Sequence, residues 1–137
     1  MSGVKIFVPR DATALALGAE ATARAIVDEA TQRGIEIELV RNGSRGMFWL
    51  EPLVEVATPA GRIAYGPVKA ADVAALFDAN FVQGEVHALR VGAVGDQPWF
   101  KNQQRLCFAR VGVTDPLSVD DYVAHGGQAG LRNALAM

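Results

Sequence analysis

Residues 4–40 read VKIFVPRDATALALGAEATARAIVDEATQRGIEIELV, and the change of hydrophobic period along this stretch sets the architecture. Val4 to Val8 is a β-branched and aromatic run that stops at Pro9, the pattern of a short buried strand. The period then lengthens. Leu15, Ala19, Thr22, Ile26 and Ala30 recur at helical spacing and form a narrow face of small residues, which lets a helix lie close on a sheet. Glu20 with Arg24 and Glu29 with Arg33 are i,i+4 pairs in the favourable order for the solvent side. Gly34 fits a C-cap, and Gly18 weakens the first turn. Ile35 to Val40 returns to a period of two with acids at 36 and 38, so it reads as a strand with one exposed face, nearer an edge. Strand, helix and strand together predict a parallel pair joined by a right-handed crossover.

Downstream, RNGSRGMFWLEPLVEV (residues 41–56) sets a glycine-bracketed loop, Asn42 to Gly46, directly against Met47, Phe48 and Trp49. Leu53 to Ala57 and Arg62 to Tyr65 then predict a hairpin around Thr58-Pro59-Ala60-Gly61. VKAADVAALFDANFVQG (residues 68–84) predicts a second helix whose apolar stripe is Val73, Leu76 and Phe77, with Gly84 just past its end. The order β-α-β-β-β-α is that of a thioredoxin-like layer: an α/β domain over residues 1–84 with a four-stranded mixed sheet and flanking helices. Residues 85–137 read as an extended connection followed by a helical tail. QRLCFARVG (residues 104–112) has a brief strand flavour. Ser118 is an expected N-cap with Asp120 and Asp121 at the positive end of the helix dipole. Gly126 and Gly127 end that helix, and a last one stops with the chain after barely two turns, as if cut from something longer.

Composition narrows the function classes. The 137 residues are half apolar and one fifth charged, enough for one domain with a real core and a short appendage. The net charge of -2 gives no electrostatic basis for nucleic-acid or membrane binding. The one local basic cluster, Lys101 to Arg110, reads as an amphipathic connector rather than a base-stacking platform. No secretory h-region and no membrane-length apolar run is present, so a cytoplasmic location is expected. The lone Cys107 excludes an internal disulfide and thioredoxin-type CxxC chemistry, and it reads as packed rather than nucleophilic. His87 and His125 have no metal-ligand neighbour at helical or hairpin spacing. The glycines at 92 and 95, and at 126, 127 and 130, match neither a P-loop nor a dinucleotide fingerprint.

Two stretches carry a resemblance. VKIFVPRDATALALGAE and RNGSRGMFWLEPLVEV resemble the two cluster-binding loops of thioredoxin-like 2Fe–2S ferredoxins, a family that includes the small NADH-side subunit of respiratory complex I. The family pattern of C-x4-C followed by C-x3-C falls on Pro9, Ala14, Ser44 and Phe48, so the cysteine ligands are lost while Gly43, Gly46 and Pro52 remain. Thiolate ligation of a cluster is therefore excluded. PWFKNQQRLCFARVGVTDPLSVDDYVAHGGQAGLRNAL (residues 98–135) resembles the start of the NADH-oxidising flavin subunit of complex I and its relatives.

A cysteine-less thioredoxin-like domain fused to that start resembles the beta (diaphorase) subunit of NAD-dependent formate dehydrogenase. The resemblance implies FMN, a 4Fe–4S cluster and NAD in the parent subunit, none of them held by this chain, and partners among the other subunits of such a complex. It implies a non-catalytic assembly domain, with Arg45, Trp49, Trp99 and Phe100 as candidate interaction residues; Met47, Phe48 and Trp49 would fill the volume of a cluster or face a partner subunit, and Phe48 is the one expected to turn inward. The competing expectation is a small-ligand or anion-binding module in which backbone N–H groups of Gly43 to Gly46, with Arg45, form a nest.

Overall fold

The computed structural model describes residues 3–137. One five-stranded sheet organises them in the order β2-β1-β3-β4-β5. Strand β1 (Val4–Phe7) lies parallel to β2 (Ile37–Val40) and antiparallel to β3 (Val54–Thr58), which continues through the hairpin into β4 (Gly61–Tyr65) and then β5 (Arg90–Ala93). The parallel pair is the one the period change predicts.

Between β1 and β2 the helix is broken. Helix α1 (Ala12–Ala16) is capped by the Asp11 carboxylate, which accepts from the N–H groups of Thr13 and Ala14. It stops at Gly18, whose φ of 99° is a left-handed conformation open to glycine, and α2 (Ala19–Arg33) starts there and ends on Gly34 at φ 65°. Ala19, Thr22, Ile26 and Ala30 line the buried face of α2 as expected. Leu15 does not belong to that face: it sits on α1 and is exposed. The break turns it outward.

Register fixes what each sheet face carries. Ile6, Val56 and Ile63 stand in one cross-strand row, and Val54 pairs with Tyr65. With Val8, these pack against α2 and against α3 (Val73–Asp78) to form the main core. Thr22 locks α2 in place, its hydroxyl donating to the Val68 carbonyl at 2.9 Å. The expected second helix over residues 68–84 is only six residues of α-helix between two 3-10 turns, because Asn80 takes a left-handed φ of 56° and resets the chain. Val73, Leu76 and Phe77 are buried as expected, and Gly84 terminates the second turn.

The opposite face carries Phe7, Glu55, Arg62 and Ala64. A second, smaller core of Met47, Leu53, Ala64 and Val94 lies there. Two expectations are corrected downstream. The connection after Gly84 supplies a fifth strand, so the sheet has five strands and extends past the expected domain end; β5 pairs with β4 across a register shift at Ala64/Tyr65, an irregularity that blurs its alternation in sequence. The stretch at residues 104–112 forms turns rather than a strand, and Cys107 is exposed rather than packed: the stretch pairs with no strand of the sheet. The tail holds α4 (Pro98–Lys101), α5 (Val119–Ala124) and α6 (Ala129–Leu135). Ser118 caps α5 by accepting from the Asp121 N–H, as read from the sequence. Among the described residues no helix is long and apolar enough to cross a membrane.

Candidate functional site

The loop at residues 41–53 gathers most of the candidate residues and is held by its own carboxylates. The Ser44 hydroxyl donates to Glu51 Oε1 at 2.7 Å and accepts from the Gly46 N–H at 3.0 Å. Glu51 Oε2 accepts from the Leu53 N–H at 2.9 Å. Ser44 and Glu51 are both buried. Burial pushes the Glu51 carboxyl above its ordinary range, and the bonds from Ser44 and Leu53 pull the other way. One position further, the Arg45 guanidinium grips Glu55 with two parallel bonds, Nε to Oε1 at 2.7 Å and Nη2 to Oε2 at 2.8 Å. Glu55 is 1% exposed and carries Arg62 as a second partner at 3.5 Å. A buried carboxylate needs such pairing, and the bidentate fork supplies it with both charge and direction.

This arrangement bears on both roles expected of Arg45. As an interaction residue it would have to face outward; it points inward instead, held by Glu55 and lying 5.9 Å from the Phe100 ring. Two groups of the expected anion nest are already engaged: the Gly46 N–H donates to the Ser44 hydroxyl, and the Arg45 guanidinium is held by Glu55.

The four positions that the sequence resemblance sets against cluster ligands carry no chemistry for a cluster. Pro9 and Ala14 are buried and carry no donor atom, and Ser44 is committed to Glu51. Phe48 departs from expectation. It is 54% exposed, and Met47 fills the interior in its place, at 2% exposure beside Leu53, Ala64 and Val94. The 3-10 turn Phe48–Leu50 explains the exchange: it starts at Met47, so Met47 still points under the loop while the next two side chains swing out. The sequence offers Met47, Phe48 and Trp49 together as residues to fill this space and favours Phe48; the structure gives the place to Met47, whose unbranched thioether suits an irregular gap. Sequence reasoning missed Glu51 and Glu55, whose isolated placement in an apolar run was the available sign of buried, paired carboxylates. The residues present therefore do not fit an iron–sulfur cluster. Among the described residues no group of three His, Cys, Asp or Glu side chains is placed to hold a metal ion.

What remains outward is aromatic. Trp49 (61% exposed) meets Trp99 (43%) edge to face at a ring distance of 5.4 Å. Trp99 comes from α4, which also brings Phe100 under the Arg105 guanidinium at 5.1 Å. The fold thus brings together Trp49 and Trp99 from segments fifty residues apart in sequence. His87 and His125 make local contacts only: the Leu89 N–H donates to His87 Nδ1, and His125 Nδ1 lies 3.1 Å from Asp121 of its own helix.

Sheet order, crossover and loop positions define a thioredoxin-like ferredoxin fold. The solved structures most similar in shape include the thioredoxin-like [2Fe–2S] ferredoxin from Aquifex aeolicus: one of its structures matches at TM-score 0.54 and 21% identity over 66% of this chain and 92% of that one. A further wild-type structure gives TM-score 0.53 and 21% identity over 66% and 98%. A cysteine-to-serine variant gives 0.53 and 22% over 64% and 97%. No protein-family model matches the chain, and no curated protein matches it.

Proposed function

We propose that the chain is a non-catalytic assembly domain of the flavin-bearing beta subunit of an NAD-reducing formate dehydrogenase. In the parent complex, electrons from formate pass through iron–sulfur clusters and FMN to NAD, and this domain contributes a surface rather than a carrier. One observation carries the reading: the loop that would ligate a cluster is closed from inside by Met47, Glu51 and Glu55, while Phe48 is exposed and Trp49 faces out against Trp99. The ferredoxin fold supports placing the domain among electron-transfer modules, and the PWF…DPLSVDDY…GG…L…AL pattern in the tail supports the flavin-subunit context.

Large exposed aromatics are the residue type that dominates binding energy at protein interfaces, through the area they bury at low entropic cost. The test is Trp49→Ala in the complete subunit, co-expressed with the catalytic and small iron–sulfur subunits of the complex. The expected outcome is a loss of co-purification with unchanged thermal stability of the domain. Full assembly by the variant sinks the interface reading.

A further inference from the structure

The refilled loop has a second partner, and it is the chain's own tail. The Arg62 guanidinium reaches over the Phe7 ring at 3.5 Å and donates to two consecutive carbonyls, Gly112 O at 3.3 Å and Val113 O at 2.8 Å. Asn42, at the start of the loop, donates to the same Gly112 carbonyl at 2.8 Å. Glu55 sits between Arg45 and Arg62 and pairs with both. The fit is close: Gly112 has a φ of 79°, and a Cβ there would come 2.5 Å from Arg45 Cδ and 3.0 Å from its Nε. Only glycine lets the tail backbone pass this near to the guanidinium.

Little else holds the tail. From residue 101 to residue 137 the only buried positions are Gly112 and Gly127, and Gly127 packs against Tyr122 of the tail itself. Helix α6 has no buried residue. Helix α5 stands over β1 and β2 across an open cleft of about 480 Å³ lined by Lys5, Phe7, Glu38, Asp120 and His125 rather than packing down on the sheet. The attachment of residues 103–137 is therefore concentrated at two backbone carbonyls.

We propose that Asn42, Arg45, Glu55 and Arg62 form a docking clasp for residues 112–113, which makes the tail a strap fixed to the domain at one point. The former ligand loop thus sets where the chain leaves the domain. If the assembly reading above holds, the clasp fixes the angle between this domain and the flavin-binding region; the clasp itself is tested without that reading. Neutralising Glu55 leaves two unpaired guanidinium groups, and shortening Arg62 to a lysine replaces a planar fork with a point cation that cannot serve two carbonyls and a carboxylate together.

The lone cysteine gives a direct readout. Cys107 is exposed within the strap, and Asp28 is exposed on α2. Spin labels at Cys107 and at an Asp28→Cys substitution report the strap-to-body distance by pulsed electron resonance. We expect a narrow distribution in the parent chain, and a broad one in Arg62→Lys and in Gly112→Ala with the thermal midpoint of the body retained. Gly112→Ala alters no residue of the sheet and keeps the test decisive if an Arg62 variant fails to fold. A broad distribution in the parent chain overturns the clasp, as does a narrow one in both variants. Broadening that appears only together with a matching loss of body stability also overturns it, because the contacts then belong to the core and not to a strap.

Discussion

Glu51 shows how far a single side chain departs from its sequence neighbourhood. An acid between Leu50 and Pro52, it is buried, bonded to Ser44 and Leu53, and raised in pKa chiefly by loss of solvent. The linkage sign follows. A carboxyl whose folded pKa lies above its unfolded value stabilises the fold fully at low pH, and that stability is lost as pH rises through the folded value. Glu51→Gln keeps an acceptor for the Leu53 N–H, can donate to the Ser44 oxygen once that hydroxyl rotates, and removes the titration. Urea unfolding at both ends of the range from about pH 4 to about pH 8 should therefore show the variant gaining on the parent as pH rises. A difference that shrinks or stays flat with rising pH contradicts the assignment. At this scale the sequence exposed the missing cysteines at Pro9, Ala14, Ser44 and Phe48, since identity alone settles thiolate ligation. It did not reveal that Arg45 faces inward, because the partner that turns it, Glu55, is fixed by the strand register.

At the scale of elements, the strands and the α2 face were legible because their periods are local properties. The 3-10 turn Phe48–Leu50 was not, and it reverses the roles of neighbours. Met47 lies against Leu53, Ala64 and Val94, while Phe48 makes no part of that core. Met47→Ala should lower unfolding free energy by about 2–5 kcal/mol, the range for emptying a buried apolar site. Phe48→Ala should stay within about 0.5 kcal/mol, as for a surface position. Chemical denaturation of the two variants side by side checks this, and equal losses contradict the turn geometry. The broken first helix has the same origin. Gly18 weakens a helix in any sequence context, but whether the chain bends there depends on the Asp11 cap and on the sheet below. The fifth strand was hidden for a related reason: four residues with two small side chains, Gly92 and Ala93, carry too little alternation to announce a strand until β4 offers an edge.

At the scale of the whole molecule, the consequence is a ferredoxin-type fold whose ligand end is closed by side chains. Anaerobic incubation with ferrous iron, sulfide and thiol, followed by desalting, should leave no iron–sulfur absorbance and no stoichiometric iron on the protein. A retained chromophore overturns the closed-loop picture. The single cysteine cannot supply the ligands, and Ser44 is already engaged. The sequence by itself determined the α/β class, the parallel β1/β2 pair, the buried face of α2 and the want of four thiolate ligands, because each follows from residue identity or from a period within one element. Only the tertiary structure decided which loop residue fills the interior, that Trp49 meets Trp99, and that Arg62 reaches the carbonyls at 112 and 113. Those contacts join segments far apart in the chain, so they depend on strand register and chain path, which local pattern does not encode.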